Sequence, residues 1–111
     1  MPFVDTTQLE TKEPLPGWKG RYLHSQHMTF GYYDVVAGAS IHPHAHPQEE
    51  VWHVIEGELE VTIGEQTRLA RAGSVAIVPP NTTHSVRAVT DGRSIVVDYP
   101  TRSSVGGART G

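Results

Sequence analysis

Hydrophobic positions along this chain fall in short runs separated by turn residues, and none recurs at helical spacing over helical length. Glu58 to Ile63 alternates strictly. Leu59, Val61 and Ile63 point one way and Glu58, Glu60 and Thr62 the other, as in a strand with one wet face. Val51 to Ile55 is instead an apolar run that reads as a buried strand. Tyr32 to Val36 is aromatic and β-branched, and Ser74 to Val78 is short, apolar and stopped by Pro79-Pro80. Val86 to Val89 and Ser94 to Tyr99 follow, with Asp91-Gly92 expected as the hairpin turn between them. Glu56-Gly57 and Gly64-Glu65 mark two further tight connections. Short strands at close spacing predict an all-β sandwich or barrel, and closure removes the exposed edges that a short chain covers poorly. Residues 1–20, with Pro14 to Gly17, read as an N-terminal arm holding at most one short strand. Residues 21–100 read as the barrel, and residues 101–111 as a mobile tail, Gly- and Ser-rich from Ser103.

Composition narrows the function classes. A chain of 111 residues makes one domain, and its net charge of -3 comes without a basic block; Arg102 and Arg109 are too sparse to follow a phosphate backbone. No nucleic-acid partner is therefore expected. No apolar run approaches the ~20 residues that cross a bilayer, and the N-terminus lacks the basic-then-apolar pattern of a secretory signal. There is no cysteine, which removes disulfides, thiolate metal sites and cysteine nucleophiles. A cytoplasmic protein without a membrane partner is the expectation. The 11 glycines and 8 prolines act as punctuation between the apolar runs, but the 7 histidines need another explanation because most of them cluster.

The cluster lies in Gly38 to Gly57. Residues two apart on a strand project from one face, so His44 and His46 can reach a single point inside a barrel. Glu50 opens the apolar run, where a carboxylate is costly unless it is paired or bound to a cation. Trp52 and Val54 share its face by parity. Downstream, Pro79-Pro80-Asn81 is a strong turn, with Asn81 able to take the left-handed conformation, and His84 opens the next strand. Three imidazoles and one carboxylate suit one divalent transition metal (iron, manganese, nickel, cobalt or zinc), with about two positions left open on an octahedral ion.

These residues resemble the cupin family. Gly38, His44, His46, Glu50 and Gly57 stand at every fixed position of its first motif. Gly73, Pro79 and His84 match the second, which this chain leaves at Asn81, where Gly is usual, and at Ala88, where Asn is usual. The resemblance spans roughly residues 30 to 100. It implies a double-stranded β-helix, or jelly-roll, barrel, a mononuclear metal within it held by His44, His46, Glu50 and His84, and a homodimer. The chain also looks like the small monocupins that open and isomerise unsaturated uronate sugars, through the single short barrel and the exit Pro100-Thr101-Arg102. The last-strand Asp of those enzymes aligns with Val96, so Asp98 is displaced from it by two residues.

Beyond the ligands, Glu50, His42 and Asp98 are the candidate catalytic groups, and Trp52, Tyr99 and Arg102 the candidate pocket residues. His42 shares strand parity with His44 and His46. Glu49, His53, His24 and His27 read as lying outside the site. The resulting expectation is a metal-dependent enzyme of the dioxygenase or isomerase/lyase type, acting on a small oxygenated molecule such as a sugar acid, diketone or catechol. The alternative is a metal-containing binding or sensor protein without turnover. Polar equipment in the cavity beyond the ligands discriminates the two.

Overall fold

The computed structural model describes residues 3–103. Ten strands carry the chain: β1 (Lys12–Leu15), β2 (Trp18–His24), β3 (Thr29–Val35), β4 (Ser40–His44), β5 (Glu49–Glu56), β6 (Glu58–Ile63), β7 (Gln66–Arg71), β8 (Val75–Val78), β9 (His84–Ala88) and β10 (Gly92–Tyr99). They form a six-stranded sheet in the order β1-β2-β3-β10-β5-β8 and a four-stranded sheet in the order β4-β9-β6-β7. All pairings are antiparallel. The crossing of β10 between β3 and β5, and of β9 between β4 and β6, is the jelly-roll arrangement that the cupin resemblance implies. No described helix is long and apolar enough to cross a membrane.

The core lies between the two sheets. Trp52, Val54, Val78 and Val96 descend from one side and meet Leu59, Val61, Val86 and Ala88 from the other. The alternation read in Glu58 to Ile63 holds, with Leu59 and Val61 buried and Glu58, Glu60 and Thr62 toward water. Asn81 takes the left-handed conformation at φ 59 after Pro79-Pro80. Gly57, at φ 82, carries the chain from β5 in one sheet to β6 in the other. A side chain there would run into the Asp91 carbonyl.

Three expectations need correction. The arm expected to residue 20 is already sheet from Lys12. Trp18 is 1% exposed and packs edge-on against both Tyr33 and Trp52, so β2 contributes to the core. Polar neighbours (Lys19, Arg21) hide this strand's inward set in sequence, because its face is built from Trp18, Gly20 and Tyr22. Asp91-Gly92 is not a hairpin turn. β9 and β10 belong to different sheets, and the segment bridges them, with the Asp91 carboxylate accepting from the Ala37 amide at 2.8 Å. Strand β7 has no counterpart in the sequence reading, because only Ala70 of its six residues is buried. Of the tail expected over 101–111, residues 104–111 lie outside the described residues.

Replacing Trp18 by Ala is expected to lower unfolding stability by about 3–5 kcal/mol, the cost of an aromatic-sized core deletion. Denaturant unfolding measures it; a loss under about 0.5 kcal/mol, as for a surface position, would return this residue to a peripheral arm.

Candidate metal centre

Local backbone geometry brings three histidines together. Between Ile41 and His44 strand β4 spends three steps while β9 spends two, from Val86 to His84. This bulge turns His44 inward beside His84, its cross-strand partner, and leaves His42 exposed. The parity argument that placed His42 with His44 and His46 is thereby broken. His46 lies past the end of β4, and its carbonyl accepts from the Asn81 amide at 2.8 Å. Its imidazole reaches the site through this loop contact and not through strand alternation.

Each of the three rings is oriented in the same way. The Nδ1 atoms of His44, His46 and His84 lie 2.8, 3.1 and 2.9 Å from the carbonyls of His42, Gln48 and Thr82. A carbonyl only accepts, so Nδ1 carries the hydrogen and the Nε2 lone pair of each neutral ring is left for the interior. The Nε2 atoms of His46 and His84 are buried with no hydrogen-bond partner. One donor atom from each of His44, His46 and His84 lies within 4.8 Å of the others.

Glu50 closes the set. It is 2% exposed at the start of β5. Its Oε1 accepts from the Trp52 indole at 2.7 Å and sits 3.1 Å from His84 Nε2, while Oε2 is 3.4 Å from His46 Nε2 and 3.2 Å from Arg102 Nη1. Lone pairs facing a carboxylate repel unless a cation lies among them. Donor atoms about 3 Å apart are what neighbouring ligands have at right angles around an ion at ~2.1 Å. Orphaned nitrogens, fixed tautomers and a buried carboxylate therefore fit a metal at His44, His46, Glu50 and His84.

Electrostatics divide the carboxyl groups. Asp98 is the cross-strand neighbour of Glu50 and equally buried. Burial and the adjacent Glu50 charge push its carboxyl up to about 9, so it holds its proton at neutral pH. For Glu50, burial opposes ionisation but is outweighed by its contacts with His46, His84, Asp98 and Trp52, and its pKa falls far below the usual carboxylate range. Burial lowers the His44 pKa. For His84, burial also works against the charged ring, but the Glu50 contact and the Thr82 carbonyl outweigh it and raise the pKa.

The structure gathers Asp98 and Arg102 at this centre. Asp98 Oδ1 is buried without a hydrogen-bond partner, and Oδ2 is 3.8 Å from Arg102 Nη1. Donor atoms of His46, Glu50 and Asp98 also lie within 4.8 Å of one another. Arg102 is held there by its own amide, which donates to Thr29 Oγ1 at 2.8 Å, and by Gln48, which donates to the Thr101 carbonyl at 3.1 Å. Trp52 is buried and orients Glu50 instead of lining open space. Tyr99 is a correction: one residue out of phase with Asp98, it is 56% exposed and faces away from the cavity. Glu49, His53, His24 and His27 are exposed, although His24 Nδ1 contacts Thr29 Oγ1 at 2.8 Å. Thr29, 1% exposed, is the supporting residue that sequence reasoning missed. Its hydroxyl is one among many in the chain, and only the fold sets it between His24 and Arg102.

Comparison with known proteins agrees with this geometry. The Cupin domain model matches residues 31–99. An uncharacterized protein of Streptomyces coelicolor is 32% identical over 84 residues, which cover 75% of this chain and 80% of that protein. The H2HPP isomerase of Bacillus subtilis is 38% identical over 60 residues, 53% of this chain, and the match spans only 25% of that longer relative. Among solved structures, an RmlC-like cupin from Shewanella frigidimarina superposes with a TM-score of 0.86 at 27% identity, covering 92% of this chain and 93% of its own. With matched motifs, matched sheets and a family model that covers most of its length, this chain belongs to the cupin family.

Proposed function

We propose that this chain is a metal-dependent enzyme that moves a proton on a small oxygenated acid, in an isomerase or lyase type of reaction. The observation that carries the reading is Asp98: a buried carboxyl beside Glu50 whose Oδ1 has no hydrogen-bond partner and whose Oδ2 lies 3.8 Å from the Arg102 guanidinium, in a setting where burial and the Glu50 charge favour the protonated form. A protein that only stores or senses a ligand has no need of a neutral acid there, whereas proton transfer does. Arg102, with 22% of its side chain exposed, is the access-side cation and suits a substrate carboxylate. This favours a sugar acid or keto acid over an uncharged diketone or catechol. The isomerase name of the Bacillus subtilis relative supports the same reaction class.

The roles follow from the contacts. A bound divalent ion supplies Lewis-acid polarisation of a substrate oxygen. His44, His46, His84 and Glu50 hold it, with their backbone-anchored Nδ1 atoms fixing the rings. Trp52 donates to Glu50 and fixes the carboxylate plane. Arg102 orients the substrate acid, and Asp98 delivers or withdraws the proton at Oδ1. Glu50, the strong acid of the pair, stays ionised, and that charge keeps the Asp98 proton in place.

The test is turnover by the metal-loaded protein on a panel of unsaturated uronates, keto acids and catechols, followed by deuterium uptake from heavy water and by oxygen consumption. Deuterium incorporation without oxygen uptake is expected; stoichiometric oxygen consumption would replace the proton-transfer reading with a dioxygenase one. Asp98→Asn should retain metal yet lose about 10²–10⁴-fold in kcat, the usual worth of a positioned acid. Full activity in that variant removes Asp98 from the chemistry.

His84→Ala and His44→Ala should each lower bound metal well below one equivalent, as read by elemental analysis after dialysis. Metal affinity should also fall as pH drops from 8 to 5. His84 takes its proton above the ordinary imidazole value of ~6.5, and a protonated ring does not ligate. Titration calorimetry at several pH values measures this, and a flat profile from pH 8 to 5 contradicts the imidazole set.

A further inference from the structure

Arg102 stands where no strand fixes it. Strand β10 ends at Tyr99, and residues 100–102 have no ladder partner among the described residues. An arginine side chain gives up more rotamer freedom than most when it is held in one place. Its guanidinium is nevertheless set 3.2 Å from Glu50 Oε2 and 3.8 Å from Asp98 Oδ2. Two anchors, one on each side of β10, hold the segment that carries it. On the β3 side, the Arg102 amide donates to Thr29 Oγ1 at 2.8 Å. Thr29 is the register partner of Asp98, so this anchor lies in the same cross-strand row as the acid pair. On the β5 side, the Gln48 side-chain amide donates to the Thr101 carbonyl at 3.1 Å. Gln48 directly precedes Glu49, the register partner of Tyr99, so this anchor sits at the end of that ladder.

Both anchors depend on particular side-chain chemistry. A backbone N–H only donates, so Thr29 accepts with a lone pair, and its own hydrogen is left for His24 Nδ1, 2.8 Å away. Thr29 is 1% exposed, and a side chain without the hydroxyl would leave the Arg102 amide short of this acceptor. Gln48 works in two directions. Its side chain holds Thr101, while its backbone carbonyl accepts from His46 Nδ1 at 3.1 Å. One residue therefore joins a ring of the donor set to the segment that carries the arginine, and so limits the span between them. We infer, on the proposed role of Arg102 in binding a substrate acid, that Thr29 and Gln48 are positioning residues: they clamp residues 100–102 so that the guanidinium meets a substrate carboxylate at a set distance from the His46 ring. Neither residue has to touch the substrate, and neither stands at a fixed position of the cupin motifs.

The test uses the metal-loaded full chain, D-galacturonate as the acid probe and its uncharged methyl ester as the control, with dissociation constants read by titration calorimetry. Thr29→Val and Gln48→Met, each close in size to the parent residue, should weaken galacturonate binding by about three- to tenfold, the worth of one neutral hydrogen bond, and leave ester binding unchanged. Thr29→Ser keeps the hydroxyl and should bind like the parent. In an Arg102→Ala background, where galacturonate binding is already reduced, Thr29→Val and Gln48→Met should add nothing further, because they act through the missing guanidinium. Hydrogen exchange at the Arg102 amide gives a readout without any ligand: it should accelerate by about tenfold or more in Thr29→Val and stay at the parent rate in Thr29→Ser. Gln48→Met, at a half-buried position, carries the test if Thr29→Val does not fold. Equal losses for acid and ester, losses that persist in the Arg102→Ala background, unchanged galacturonate binding in the single variants, or unchanged exchange at Arg102 each overturn the clamp. A parent protein that does not prefer the acid to the ester, or whose preference survives Arg102→Ala, overturns the acid-binding role of Arg102 and, with it, the specificity assigned to these two residues.

Discussion

A buried negative charge organises the functional end of this barrel. Glu50 is almost wholly removed from water, and an ionised carboxylate in that setting costs several kcal/mol unless its oxygens are satisfied. Each nearby element supplies part of the compensation. Strand β5 brings the Trp52 indole and the chain exit beyond β10 brings the Arg102 guanidinium, while β9 and the loop after β4 set the imidazoles of His84 and His46 against the carboxylate. Yet these imidazoles carry their hydrogens on the far side, toward backbone carbonyls. The centre is thus short of positive charge in the one place where the lone pairs converge, which is the physical content of a metal site.

The same charge sets the behaviour of its neighbour. Asp98 faces Glu50 across two strands, and two buried carboxylates in contact do not both ionise. Arg102 stabilises whichever of the pair is charged, while the Trp52 indole donates to Glu50 and favours its ionised form. The proton therefore resides on Asp98. A pair of carboxyls with opposite protonation states is a recurrent arrangement for acid–base work, reached here by burial and register without any unusual residue.

Inward positions of β2, β3, β10 and β5 build the aromatic floor and the acid pair, with Tyr33 stacked on Trp52 at 6.2 Å and Trp18 edge-on to both. Strict alternation of side-chain direction sets the phase of each strand, and that phase decides whether a residue lies at the site or on the outer surface. Asp98 and Tyr99 illustrate the point: adjacent in sequence, they belong to opposite surfaces of the molecule.

Much of this was legible from local pattern. The all-β class and six of the strands follow from periodicity and turn residues, and Glu50 stands out through the cost of burying a carboxylate, all of which act over a few residues. Asn81 as a left-handed turn residue was equally local. What only the tertiary structure decided were relations between distant segments. The bulge that expels His42, the bridging of two sheets by Asp91-Gly92, the inclusion of β1 and β2, and the pairing of Asp98 with Glu50 each depend on which strand lies beside which. Alternation along a strand specifies two faces but not which one becomes the interior. That assignment is made when another sheet covers one of them.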